Sequence, residues 1–203
     1  MADTAPQAFS PLSGHIGPVG GPHHAGVVLR EVAGLSLINL RGDAEKAFAG
    51  HVETVLGVAL PTAPNTAACT EGLSLLWLGP DEWLAVSEDG DSPALCARLE
   101  EAMSRVHHAV VDLSDNYAVI ELSGHAARWV LAKGWPQDLH PSAFKPGQCS
   151  QGLLGLAQIV LEQTAEDAYR LFVRPSFAAY LWDWLVDASA DVGVRVAPPD
   201  APT

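Results

Sequence analysis

Histidine is the side chain best suited to moving protons or holding a metal near neutral pH, and the chain has eight, with two adjacent pairs, His23-His24 and His107-His108. Neighbouring side chains on a strand point to opposite faces, so neither pair can close on one metal without ligands from elsewhere. Surface and strand-entry positions account for both pairs. His125 and His140 fall near helix and loop ends, where an imidazole serves backbone groups, and neither takes a catalytic role. Asp112 and Asp115 flank the short connection Leu113-Ser114, where carboxylates commonly bond the backbone of a turn; ligand contact is the alternative. Cys69, Cys96 and Cys149 are odd in number and form no CxxC pair, which suits buried, reduced thiols in a reducing compartment.

The sequence contains no GxSxG elbow, no GxxxxGK[ST] loop, no GxGxxG fingerprint and no HExxH pair. Gly17-Pro18-Val19-Gly20-Gly21 is glycine-rich, yet it follows no expected strand, opens no helix and places a proline where an amide donor would be needed. No residue is therefore assigned as catalytic, as cofactor-binding or as a metal ligand.

The elements that would position a site follow a repeated order. Val27–Val32 and Leu35–Gly42 read as strands leading to a helix opened by Asp43, and Val110–Ser114 with Ala118–Gly124 lead to a helix from His125. Gly42 and Gly124 lie 82 residues apart. Ser74–Leu78 and Trp83–Val86 make an apolar pair around Gly79-Pro80-Asp81-Glu82, matched downstream by Leu156–Leu161 and Tyr169–Val173. Each pair runs into a helix. Ser92-Pro93 caps the first, with Leu95, Leu99, Ala102, Met103 and Val106 on one face. Pro175 opens the second, with Phe177, Tyr180, Leu181, Trp184, Leu185 and Ala188 as its apolar stripe and Trp182 rotated off it. The expected architecture is α+β: two similar lobes from an internal duplication, each with antiparallel strands and two helices. The boundaries are an extended Pro/Gly-rich arm over 1–26, lobes over 27–106 and 107–196, and a flexible tail over 197–203.

Of the 203 residues 48% are hydrophobic and 17% charged, enough apolar material for a core. The formal net charge of −13 comes without a basic cluster, so nucleic acid and anionic membrane are poor partners. Residues 1–26 hold no apolar signal core and no stretch has the length of a membrane helix, so the expected location is the cytoplasm.

The segment Val111–Gly124, with Ala127 and Leu131, resembles the strand-turn-strand-Gly-helix signature of folate-binding lobes of the glycine cleavage T-protein type. Four further segments are narrower: Gly134–Pro141, Phe144–Gly147, Trp77–Leu84 and Val173–Trp182. With Ser10-Pro11-Leu12 they resemble the γ subunits of bacterial heterotetrameric sarcosine oxidase, over essentially the whole chain.

That resemblance implies a non-catalytic structural subunit of an oxidoreductase complex with α, β and δ partners. In the family the α and β subunits carry FAD, FMN, NAD and the tetrahydrofolate site, and γ carries none of the redox cofactors. The complex demethylates sarcosine to glycine, giving hydrogen peroxide and formaldehyde or 5,10-methylenetetrahydrofolate. The T-protein signature implies the alternative, a stand-alone tetrahydrofolate-binding protein or folate-dependent enzyme. Against it, T-protein-like lobes use an acidic pair on a strand that here reads Leu156–Val160, with no carboxylate until Glu162.

Overall fold

The structure, a computed structural model, describes residues 10–16, 20–45 and 47–199. The first half supplies β1 (Val27–Val32), β2 (Ser36–Gly42), α1 (Ala47–Leu56), β3 (Ala67–Thr70), β4 (Leu73–Gly79), β5 (Glu82–Ser87) and α2 (Ser92–Ala102). The second supplies β6 (His108–Asp112), a 3-10 turn (Ser114–Asn116), β7 (Ala118–Ser123), α3 (Ala127–Ala132), β8 (Gln148–Leu154), β9 (Ala157–Ala165), β10 (Ala168–Val173), α4 (Pro175–Ala188) and β11 (Val194–Val196). The strands form a six-stranded sheet, β11-β1-β7-β10-β9-β8, and a five-stranded sheet, β3-β4-β5-β2-β6. The pairings are antiparallel except β1 with β11.

The sheets pack face to face, and each carries helices on its outer side. Leu37, Leu76, Leu84 and Val86 of one sheet meet Val119, Cys149, Val160 and Phe172 of the other. Phe48 and Val52 of α1 and Leu95 and Leu99 of α2 cover the outer face of the five-stranded sheet, against Ile38, Leu40 and Trp83. Helices α3 and α4 cover the six-stranded one. A strand between a helix layer and a second sheet is buried on both faces, which explains doublets such as Leu37-Ile38, Leu75-Leu76 and Val119-Ile120.

The halves exchange strands. Instead of pairing with β2, β1 crosses to β7, with Leu29 opposite Leu122; β6 crosses back to β2, with Leu40 opposite Val110. The two orders then correspond, β3-β4-β5-β2-β6 against β8-β9-β10-β7-β1, with β11 added. Units cut at residue 107 therefore do not coincide with the sheets, because a strand that crosses to the facing sheet has the same alternation as one that folds back on its neighbour.

Three other expectations change. Asp91, not Ser92, caps α2, its Oδ1 accepting from Ala94 N at 3.1 Å. The described part of the arm folds onto its own chain: Leu12 is fully buried in the α3/α4 core, Ile16 N donates to Leu12 O, and Gly20 bridges Val196. Gly17-Pro18-Val19 and residues 200–203 lie outside the described residues. Ala197, the first residue of the expected tail, donates its N–H to Leu29 O at 2.9 Å.

The buried stripe of α4 is Ala178, Leu181, Trp182 and Leu185, while Phe177 and Tyr180 are exposed. This helix is apolar on nearly every side, so two overlapping stripes fit its periodicity and packing selects between them. Trp182 is 2% exposed in the core; Trp184 lies half-buried over Gly134 and Gly155, where an added Cβ would come within 2.5 and 3.2 Å of its ring. Trp182→Phe is expected to cost about 1–2 kcal/mol, and more than Trp184→Phe, because the cavity it leaves is enclosed. Urea unfolding of the two variants checks the order, and a larger loss at Trp184 would return that residue to the core.

Candidate functional site

Four charged side chains on the face of the six-stranded sheet that meets the other sheet fall in one row. Sheet register places Arg30 opposite Glu121, Glu121 opposite Arg170, Arg170 opposite Glu162 and Glu162 opposite Cys149, crossing β1, β7, β10, β9 and β8. The signs alternate, the favourable arrangement for cross-strand neighbours. Arg30 Nη2 donates to Glu121 Oε2 at 2.9 Å, and Arg170 Nη2 reaches across to Glu88 Oε1, which follows β5 in the facing sheet, at 2.5 Å.

Glu162 is the deepest member, 1% exposed, and its Oε2 has no partner within the protein. Desolvation pushes its carboxyl up, against the pull of the Arg170 guanidinium and a hydrogen bond with Ser74. Burial, with the Glu162 charge beside it, pushes the Cys149 thiol up to about 12, leaving it protonated and unreactive at neutral pH. Cys96 is partly buried, and burial with Asp112 and Glu100 nearby raises it too. Cys69 is exposed on β3, contrary to the expectation of three buried thiols, because β3 is a sheet edge.

Asp112 does bond a turn. Its Oδ1 accepts from Ser114 N (2.9 Å) and Ser114 Oγ (2.6 Å), its Oδ2 from Ser92 Oγ (2.5 Å), and Ser114 Oγ in turn accepts from Leu37 N (3.0 Å). Desolvation would raise this carboxyl, but the hydrogen bonds from Ser114 and Ser92 outweigh it and hold it below the ordinary range. The carboxylate thus pins α2 to the crossover between the sheets.

His107 and His108 reach the rim of an open groove of about 950 Å³, alongside Arg41, Asp81 and Trp77. Arg41 is paired with Asp81 at 3.0 Å. His108 is held through Nδ1 by Val106 O (2.7 Å) and through Nε2 by Glu100 (3.0 Å). The Val106 carbonyl raises its pKa; burial opposes this and Glu100 assists it. His140 Nδ1 bonds Ser142 Oγ at 2.7 Å, a turn contact, and His23, His24 and His125 are exposed. Among the described residues no three His, Cys, Asp or Glu side chains converge as a metal cluster.

The strand where a T-protein-like lobe would present its acidic pair is β9, and the residues present do not fit folate. Gln158 and Val160 line a cavity of only about 100 Å³ with Tyr117, Gln151 and Arg174, whose guanidinium sits 4.8 Å from the Tyr117 ring centroid. That volume is well below the several hundred Å³ a drug-sized ligand needs. Glu162, the first carboxylate on the strand, is committed to the row between the sheets.

The segments Gly134–Pro141 and Phe144–Gly147 prove to be packing devices. Trp135, Leu139 and Phe144 are buried in the α3/α4 core, and the Trp135 ring covers Gly152, where a Cβ would come within 3.0 Å of it. Gln137 accepts from Ser150 Oγ and so ties this segment to edge strand β8.

Comparison with known proteins matches the same span. The family model described as "Sarcosine oxidase, gamma subunit family" matches residues 41–191. The sarcosine oxidase subunit gamma of an Arthrobacter species is 38% identical over 168 residues, covering 81% of each chain. A chain in the structure of heterotetrameric sarcosine oxidase from Corynebacterium sp. U-96 superposes with TM-score 0.83 at 33% identity, covering 91% of this chain and 96% of that one. Aminomethyltransferase T of the glycine cleavage system from Bartonella henselae, 18% identical with TM-score 0.62, covers 86% of this chain and 48% of its own, a likeness of fold alone. The chain belongs to the sarcosine oxidase gamma subunit family.

Proposed function

We propose that the chain is a structural subunit of a cytoplasmic sarcosine-oxidising complex and carries no active site of its own. Its partners are the α, β and δ subunits, with FAD, FMN, NAD and tetrahydrofolate held in the large ones. The complex takes sarcosine to glycine, with hydrogen peroxide and either formaldehyde or 5,10-methylenetetrahydrofolate as further products. The observation that carries this reading is the near end-to-end match to one chain of a heterotetramer, 91% of this chain against 96% of that one. The commitment of Asp112 and Arg170 to structural bonds supports it.

Co-expression of the tagged chain with the genes beside it tests the proposal. The chain should recover the other subunits in fixed ratio with sarcosine-dependent peroxide production, and omitting it should abolish assembly. Stoichiometric tetrahydrofolate binding by the purified chain alone would favour the folate-binding alternative, and full activity of a complex lacking the chain would refute a structural role.

A further inference from the structure

Three of the large apolar side chains that stand exposed gather at one place, where the β8–β9 hairpin meets the start of α4: Leu156 from the hairpin tip, Phe177 and Tyr180 from the helix. They form a connected surface. Leu156 N donates to Tyr180 Oη at 3.0 Å, and the Phe177 and Tyr180 rings meet edge-on at 6.5 Å. The fold gives no reason for a leucine at 156. Leu154 pairs with Ala157, which leaves Gly155-Leu156 as a two-residue turn, and turn positions favour small or polar residues. Leu156 is nevertheless 74% exposed at the hairpin tip.

We infer that this patch is the anchor by which the chain docks on a different subunit of its complex, at a face with an apolar centre and a Lys/Arg rim. The inference rests on the reading that the chain assembles with other subunits. Charge selects the occupant. At 100° per residue Asp187 lies about 20° from Tyr180 around α4, so the exposed Asp187 carboxylate borders the patch two turns further on, with exposed Asp183 beside it. A second copy would oppose acidic rim to acidic rim, on chains that each carry a formal charge of −13. Three side chains also fall far short of the roughly 800 Å² per partner of a self-standing interface. They suit the centre of a wider contact, where aromatic and large aliphatic side chains concentrate the binding energy.

Leu156→Asp and Phe177→Asp test this in the full chain. Phe177 is the third residue of α4, where an acidic side chain is favourable, and Leu156 is in a turn, so both variants should fold and melt within about 2 °C of the parent. Each should bind the co-expressed remaining subunits at least about 30-fold more weakly. Asp187→Lys should weaken binding by about 3-fold or more, an effect that shrinks at high salt. Val111→Asp, on the edge of the other sheet, should stay within 2-fold of the parent. Parental affinity in both Leu156→Asp and Phe177→Asp, with the unchanged chain binding normally, would overturn the docking site alone. A parent chain that binds no other subunit would overturn the assembly reading with it. A homodimer of the isolated chain that Leu156→Asp disperses would overturn the choice of occupant.

Discussion

Gly124→Ala should cost the chain about 2–6 kcal/mol or prevent folding, through two independent effects. Gly124 has φ of +116°, a region that side-chain-bearing residues occupy only under about 1–3 kcal/mol of strain. A Cβ there would also stand 2.5 Å from Gly26 O and 3.1 Å from Val27 Cα. Those atoms are backbone, fixed where β1 enters the sheet and where Gly26 O accepts from Ala126 N, so relieving the overlap shifts a strand, about 1–3 kcal/mol more. Gly72→Ala is the control: φ is +71° with nothing within 4 Å of the new methyl, so only strain should register. Urea unfolding of both variants gives the comparison, and equal losses would remove the close approach from the explanation. At the matching position, Gly42, a Phe48 ring atom comes within 2.4 Å of the Cβ site, so the two glycines serve the same junction against different neighbours.

Arg170→Met should cost about 3–5 kcal/mol at neutral pH, because it breaks the ion pair with Glu88 and removes the nearby positive charge that offsets the buried Glu162 carboxylate. The companion Glu162→Gln, Arg170→Met double variant should recover part of that loss, since the buried charge goes with the cation that offset it. The pH dependence has a definite sign. The folded-state pKa of Glu162 is raised above its ordinary 4.5, so the native state holds the extra proton in the window just above that value. Stability from this group is full below 4.5 and falls as pH rises through the folded pKa. Removing Arg170 extends the window upward, so the deficit of Arg170→Met should be greatest near neutrality and shrink toward pH 4. Chemical denaturation across pH reads this directly; a deficit independent of pH would assign the loss to packing.

The doublets Leu37-Ile38, Leu75-Leu76 and Val119-Ile120 made most of the strands and the α+β class legible in the sequence. Strands β3 and β8 escaped because both lie at sheet edges. Ala67–Thr70 is short, and Gln148–Gln151 turns polar residues toward neighbours such as Gln137 and Leu78 O instead of into a core. The three residues of β11 acquire meaning only through β1. The charged row was hidden for another reason: Arg30, Glu121, Arg170 and Glu162 come from four separate strands, and no local spacing connects them. Only the register of the folded sheet lines them up. Leu156 carries a local signal, a large apolar residue directly after Gly155 at a turn position.

The exchange of β1 and β6 also dictates an order of events during synthesis. When α2 leaves the ribosome, the five-stranded sheet still lacks its β6 edge, and β1, made long before, has no partner until residues 118–123 emerge. The central strands β10 and β9 follow later still, and β11, which flanks β1, comes almost last. The first hundred residues can complete neither sheet while the rest is translated, since each sheet takes a strand encoded in the opposite half. A nascent chain of this design presents the unpaired edge of β1 for most of its elongation, and that edge is closed on both sides only when β7 and β11 have been made.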